Sequence, residues 1–221
     1  MVSWATNCYD ENQIFLHHTA RQRRSAFQRE YVMSKNFNPA VLVWASGKAG
    51  QSVGAGECWD LANSALLKAG AGTSSDFGPT GDDADYIWGD EISDLKDALP
   101  GDILQYRDYS QTTTTTTTAV FKDGREQSDE SSPEIGRPHH TAIISKNSGN
   151  GALTVLEQNY LGKHEKVKST AIRWNDAATK TTVTKKMVKR DDNGKSEMAT
   201  VTVVVDVSVS GTLTGFRPKA K

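Results

Sequence analysis

The sequence has little cysteine and no long hydrophobic run, and each absence excludes a class of protein. Two cysteines, Cys8 and Cys58, in 221 residues cannot form the disulfide framework of a small secreted domain, so we interpret both as free thiols. No apolar run approaches the roughly 18 residues of a membrane span. The opening residues lack the basic and apolar regions of a signal peptide. We therefore expect a cytoplasmic protein, or one that is exported by a non-classical route.

An excess of charge of one sign is also missing. The 26 basic residues nearly balance the 27 acidic ones, and the formal net charge is -1. No overall field therefore favours a nucleic acid or an anionic membrane as the partner. The length fits one domain of ordinary to large size, which we place at 38–218. An N-terminal extension over 1–37, rich in Arg, Gln and Ala, is expected to be helical.

The stretch 107–138 stands out by its composition. It contains an unbroken threonine run from Thr112 to Thr118 and then a charged segment that is rich in turn-forming residues. Threonine has a high β propensity, so the run fits an extended hairpin. Its low complexity instead favours a mobile insertion. We expect a threonine-rich insertion in the domain here.

The most informative stretch is 54–70, where a glycine-rich loop leads into a helix that begins near Cys58. Apolar residues recur at three- and four-residue steps, and Gly70 is a suitable stop after the last turn. Gly54 and Gly56 allow tight or left-handed backbone just before the cysteine. The first turn of a helix favours thiolate over thiol, because its free N–H groups carry positive partial charge. Cys58 is therefore a candidate nucleophile, although a buried cysteine acting as a small hydrophobic residue is an equally good interpretation of this stretch alone.

The second half of the chain predicts antiparallel strands. Residues 139–145 and 152–159 flank a turn of Asn, Ser and Gly, which is typical of a β-hairpin. If the turn is centred on 148–149, residues pair when their numbers sum to 297, so His140 lies opposite Glu157, with Asn159 on the same face. Further strands are predicted at 41–44 and 103–106, and a second hairpin turns at Asn193 and Gly194. Helices followed by antiparallel strands indicate an α+β fold.

A thiol at a helix start and an oriented histidine together suit nucleophilic attack on a carbonyl. The imidazole of His140 takes the proton of Cys58 and returns it to the leaving group, while Glu157 or Asn159 holds the ring. The backbone N–H of Cys58 and the side chain of Gln51 are candidate donors to the oxyanion.

Four motifs resemble those of CHAP-type members of the NlpC/P60, papain-like cysteine peptidase superfamily. They are Gly56-Glu-Cys58-Trp-Asp-Leu-Ala, Leu99-Pro-Gly-Asp-Ile-Leu104, His140-Thr-Ala-Ile-Ile144 and Val155-Leu-Glu-Gln-Asn159. The resemblance implies a papain-like core, in which the cysteine-bearing helix packs on an antiparallel sheet. It also implies Cys58 as nucleophile, His140 as base, and Glu157 and Asn159 as polar partners. His139 directly before the base departs from the pattern and leaves open which histidine serves.

Within that superfamily the chain is similar to the cysteine-proteinase-fold module that is found at the C-terminus of fungal actin-patch, myosin-binding scaffold proteins and in related free-standing proteins. Two functions follow as expectations. The first is a thiol hydrolase that cleaves an amide bond of a peptide, an isopeptide or a peptidoglycan-like substrate. The second is a protein-interaction module with little or no activity, which binds a protein partner. CHAP enzymes that bind calcium use acidic residues just before the cysteine, and 46–51 has none, so no metal or cofactor is expected.

Overall fold

The computed structural model describes residues 35–81, 83–175 and 180–221. The predicted helical extension over 1–37 lies outside the described residues up to position 34. Three α-helices precede the strands: α1 (Asn38–Ser46), α2 (Cys58–Ala69) and the single turn α3 (Ser74–Phe77). A 3₁₀ turn covers Leu95–Asp97. None of the helices in the described ranges has the length and hydrophobicity of a membrane-spanning segment.

Eight strands follow, and all of their pairings are antiparallel. Their order across the sheet is β1-β8-β2-β4-β5-β6, with β3 paired to β2 and β7 paired to β8. The prediction of an α+β protein built on an antiparallel sheet is therefore confirmed. The strands are β1 (Asp90–Ile92), β2 (Ile103–Phe121), β3 (Glu126–Ser131), β4 (Glu134–Asn147), β5 (Ala152–Glu157), β6 (Lys168–Arg173), β7 (Thr181–Arg190) and β8 (Ser196–Arg217).

Helix α2 carries the cysteine, as predicted. Its first turn is fixed by the carboxylate of Asp60, which accepts hydrogen bonds from the backbone N–H of Ala55 at 2.8 Å and of Glu57 at 3.1 Å. Gly54 and Gly70 have φ angles of 60° and 74°, in the left-handed region that glycine enters without strain. The apolar face of the helix is buried against α1 and β4. It consists of Leu61, Ala62, Ala65 and Leu66.

The strand predicted at 41–44 is wrong, because these residues belong to α1. Pro39 lies in the first turn, where its missing N–H costs no intrahelical bond. Val41 and Ala45 are one helical turn apart, and both are fully buried in the core that contains α2. Packing therefore decides the structure here over the β propensity of the valines.

The threonine run forms regular strand rather than the mobile insertion that its low complexity favours. It lies within β2, whose 19 residues pair with β8 along one edge. Thr113, Thr115 and Thr117 face Val207, Val205 and Val203 of β8. The partner that stabilises the run therefore lies about 90 residues further along the chain, where no local pattern could show it.

The sheet curls so that its sixth strand approaches β2. The backbone N–H of Arg173, at the end of β6, donates to Gln111 Oε1 on β2 at 2.8 Å. The hydroxyl of Tyr109 donates to the carbonyl of Arg173 at 2.9 Å. The two faces of the sheet hold separate cores. One core, with Ile103 and Ile143, packs against the helices, and the other contains Tyr106, Tyr109, Ile144, Leu153 and Ile172.

A local irregularity in β2 changes which side chains share a face. Asp108 adopts a φ of 52°, and the pairing between β2 and β8 shifts between Arg107 and Ser110. Tyr106 and Tyr109 consequently lie in the same core, with ring centroids 5.3 Å apart. Arg137 on β4 pairs with Tyr109 and so joins this face, together with His140, which pairs with Tyr106.

Candidate functional site

The cysteine lies in a cleft of about 990 Å³ between the start of α2, β4 and the chain that follows β5. Three of the residues predicted from the sequence, Cys58, His140 and Asn159, line it together. The other residues lining the cleft include the aromatic side chains of Trp59, Tyr86 and Tyr160, the exposed Leu161, and Gly136, Arg137, Pro138 and His139.

Cys58 is the cysteine that the described residues contain, and it is free. Burial raises the pKa of its thiol above the ordinary value of 9.0, and the negative charge of Glu57 adds to this. Backbone N–H groups of Thr141, Trp59 and Cys58 itself act in the opposite direction but do not outweigh burial. The helix start therefore supplies the expected donors, whereas burial acts against the thiolate that these donors favour.

His140 and Glu157 are in contact, although the predicted register is wrong. His140 Nε2 lies 3.1 Å from Glu157 Oε2. Near the turn, the numbers of two paired residues sum to 300, as for Asn147 and Leu153. Beyond a bulge between Ile144 and Lys146, the sum is 299. Because 299 differs from 297 by an even number, Glu157 stays on the face that His140 occupies.

Arg137 is the residue that sequence reasoning missed. Its Nε and Nη2 donate to the two oxygens of Glu157 at 2.9 and 2.7 Å, in a bidentate ion pair. Thr170 Oγ1 also donates to Glu157, at 2.5 Å. Plain strand alternation places Arg137 on the face of His139 rather than that of His140. The irregularity at Asp108 reverses this placement and puts Arg137 on the face of His140. No sequence pattern indicates that irregularity.

The charges of this cluster are set by burial and by Arg137. Glu157 is completely buried, which alone raises its pKa, but hydrogen bonds from His140 and Arg137 hold the pKa at about 2. Burial lowers the pKa of His140 below 6.5, and the positive charge of Arg137 lowers it further. The hydrogen bond to Glu157 offsets this only in part. At neutral pH the cluster therefore holds an ionised Glu157, a charged Arg137 and a neutral His140.

The two adjacent histidines have different partners. His139 Nε2 lies 2.7 Å from the carbonyl of Ala84 and 3.2 Å from Gln105 Nε2, on the helix-covered face. His140 is the one that a carboxylate orients. In the part of the chain that the structure describes, no hydrogen bond joins either ring to Cys58. In cysteine hydrolases such contacts often shorten only when a substrate binds.

The other two predicted site residues, Asn159 and Gln51, do not contact the imidazole ring of His140. Asn159 Nδ2 donates to Glu57 Oε2 at 2.6 Å, and Asn159 Oδ1 accepts from the backbone N–H of His164 at 2.8 Å. Asn159 therefore holds the loop before the cysteine rather than the imidazole. Gln51 Nε2 donates to the carbonyl of Gly47 at 3.2 Å, and its side chain does not line the cleft. The structure does not support Gln51 as an oxyanion donor.

Gln158, between the two predicted residues, anchors the cysteine loop. Its Nε2 donates to the carbonyls of Val53 at 3.0 Å and Glu57 at 2.6 Å, and its Oε1 accepts from the backbone N–H of Val53 at 3.0 Å. The side chain is fully buried. A polar residue directly after a buried strand was the available signal, but nothing in the sequence indicated its partners.

The side chains that could ligate a metal ion are dispersed. Within residues 35–81, 83–175 and 180–221, no group of three or more His, Cys, Asp or Glu side chains is arranged to hold a metal ion.

Comparison with known proteins gives the chain a family. A curated relative, altered inheritance of mitochondria protein 3 from Debaryomyces hansenii, is 36% identical over 143 residues. The match covers 59% of this chain but only 14% of that protein. No solved structure matches the chain. The family model of the AIM3/BBC1 cysteine proteinase-fold domain matches residues 21–179, which is more than half of the chain. The chain therefore belongs to the AIM3/BBC1 cysteine proteinase-fold domain family.

Proposed function

We propose that this domain is a protein-interaction module that binds an extended peptide segment in the cleft beside Cys58. The observation that carries the proposal is the unpaired edge of β4 beside the apolar rim of a cleft in which no hydrogen bond of the described residues joins Cys58 to His140. Burial of the half-buried Cys58 raises the pKa of its thiol, and Arg137 pairs with the carboxylate next to His140.

The cleft offers backbone as well as side chains to a peptide. The first part of β4, from Glu134 to about Ala142, pairs with β2 through one edge, whereas pairing with β5 starts only at Ile143. Gly136, Arg137 and Pro138 of this part line the cleft. The backbone N–H of Thr141 is directed at Cys58. Along residues 134–140, an extended segment can pair with the edge of β4 that the described strands leave unpaired, which is a common mode of peptide recognition.

The rim of the cleft supplies apolar contacts. Leu161 is 65% exposed, and it lies with Trp59, Tyr86 and Tyr160 around the opening. Aromatic side chains bury a large area and also offer a polar atom, which suits them to binding surfaces. We therefore expect a partner segment with at least one large apolar side chain.

A thiol hydrolase is the second candidate, and one arrangement favours it. Cys58 begins a helix next to N–H donors, and His140 is oriented by Glu157, as in the CHAP-type, papain-like enzymes that the motifs resemble. A substrate that draws Cys58 and His140 together would let the imidazole take the thiol proton. The thiolate would attack the amide carbonyl of a peptide or isopeptide and form a thioester, while the imidazolium returns its proton to the leaving amine. Water would then hydrolyse the thioester and restore the thiol.

Selection of random phage-displayed peptides on the full chain separates the two functions. We expect enriched peptides to bind reversibly and to be recovered intact by mass spectrometry. Leu161→Asp should weaken binding at least tenfold, whereas Val43→Asp, at a 72% exposed position outside the cleft, should not. Peptides that are cleaved by the wild type and left intact by Cys58→Ser would show a hydrolase instead.

A further inference from the structure

Four strands form a sheet whose two edges carry opposite charge. We call this part the arm: β3, β7, and residues 115–121 of β2 and 199–205 of β8 between them. The strand order is β3-β2-β8-β7, and within the described chain β3 and β7 each pair on one side only. Each outer strand therefore presents a free row of backbone N–H and C=O groups.

The acidic edge is β3 and the basic edge is β7. β3 contains Glu126, Asp129 and Glu130 and no basic residue. β7 contains Lys185, Lys186, Lys189 and Arg190 and no acidic residue. Glu126, Asp129, Lys185 and Lys186 are exposed, and among the ion pairs of the described residues none includes them.

Strand direction decides which edges can meet. Each of the three pairings across the arm is antiparallel, so β3 and β7 run in opposite directions. Two copies related by a two-fold axis would bring β7 to β7 or β3 to β3, and like charges would face each other. Two copies placed side by side, with a translation and a rotation that continues the twist of the sheet, bring β3 of one beside β7 of the next, antiparallel and with unlike charges.

The strand registers across the arm place a basic and an acidic side chain opposite each other when β7 of one copy pairs with β3 of the next. Glu126 pairs with Val120, Val120 with Thr200, and Thr200 with Lys186, so the two charges lie at opposite ends of one row across the sheet. When the row continues into the next copy, Lys186 faces Glu126. Side chains that face each other across strands have Cβ atoms about 5 Å apart, close enough for an ion pair.

We propose that the partner of this surface is a second copy of the chain: the basic edge β7 of one copy pairs with the acidic edge β3 of the next. Charges on edge strands prevent pairing between like edges, which leaves only the unlike pair. Because the two surfaces differ, a pair of copies still has one free edge of each kind, and assemblies longer than a dimer form.

Sedimentation velocity of the full chain tests this proposal. At low ionic strength we expect the sedimentation coefficient to rise with protein concentration. In about 1 M NaCl the screening length falls to about 3 Å, and the association should weaken at least tenfold. A wild-type chain that stays monomeric at every concentration would overturn the proposal.

Charge reversal locates the interface. Lys185→Glu with Lys186→Glu places two acidic side chains on β7, where they would face the acidic β3, and Glu126→Lys with Asp129→Lys places two basic side chains on β3, where they would face the basic β7, so neither variant should self-associate. An equimolar mixture of the two should associate again, as should one chain that carries all four changes. The exposed pair Lys68→Glu with Lys146→Glu changes the charge equally outside the arm and should leave association as in the wild type. Association of either single-edge variant at wild-type strength, or a mixture that remains monomeric, would contradict the pairing.

Discussion

Arg137 and Glu157 form a bidentate ion pair beside His140, with N–O distances of 2.9 and 2.7 Å and both side chains almost completely buried. This pair gives the carboxylate a structural partner of its own. A carboxylate that serves only to stabilise an imidazolium would have the histidine as its main charge partner. Here Arg137 opposes protonation of the ring.

Removal of Arg137 should strongly destabilise the domain. Arg137→Met leaves the buried Glu157 without its main charge partner, which typically costs about 3 to 5 kcal/mol of unfolding free energy. Urea unfolding followed by circular dichroism measures this loss. The exposed Arg190→Met is the matched control and should change stability by less than about 0.5 kcal/mol.

A double variant distinguishes loss of charge pairing from loss of volume. Arg137→Met with Glu157→Leu removes both charges, and we expect it to be more stable than Arg137→Met alone, because no isolated charge remains buried. If the double variant is the less stable of the two, the ion pair is not what makes Arg137 important.

Acid should destabilise the fold in two steps. The pKa of His140 is lower in the fold than its ordinary 6.5, so the unfolded chain takes up this proton first, and stability falls as the pH drops below about 6.5. Glu157, with a pKa of about 2 against an ordinary 4.5, contributes stability above pH 4.5 that is lost as the pH falls towards 2. This second contribution is on the order of 3 kcal/mol.

Unfolding free energies measured from about pH 7.5 to about pH 3 test the two steps. The first step should be absent in His140→Gln, which cannot titrate, while the second remains. A wild-type protein whose stability rises as the pH falls from about 7 to 5 would show that the folded state favours the imidazolium, and the pKa of His140 would then be raised rather than lowered.

Gln158 should hold the cysteine loop. Gln158→Ala removes three hydrogen bonds to the backbone of Val53 and Glu57 and should cost on the order of 2 to 4 kcal/mol. The amide of Val53 should exchange its hydrogen faster, as measured by NMR. Gln51→Ala, an exposed glutamine that precedes the same loop, should alter neither quantity, and a comparable effect there would restore Gln51 as part of the site.

The sequence predicts the local parts of the site well and the long-range parts poorly. The periodicity after Cys58 and the glycine at its end correctly predict α2, because both signals lie within the helix. The contact between His140 and Glu157 was also predicted, but from a register that is off by two residues. The predicted contact is nevertheless correct, because side chains on one face of a strand repeat every two residues.

What could not be predicted depends on partners far along the chain. The threonine run takes its structure from β8, and Arg137 reaches Glu157 through an irregularity at Asp108. The raised pKa of Cys58 follows from the packing that half-buries the residue, which the helix position alone does not give. Each of these features follows from tertiary packing rather than from local propensity.

The pH dependence of Cys58 alkylation tests the central claim most directly. Iodoacetamide labelling at a series of pH values, with the modified peptide identified by mass spectrometry, separates Cys58 from Cys8. The proposed interaction module predicts slow labelling of Cys58 that rises only above about pH 9 and changes little in His140→Gln. Rapid labelling already at neutral pH that is lost in His140→Gln would contradict it and would show an activated thiol hydrolase.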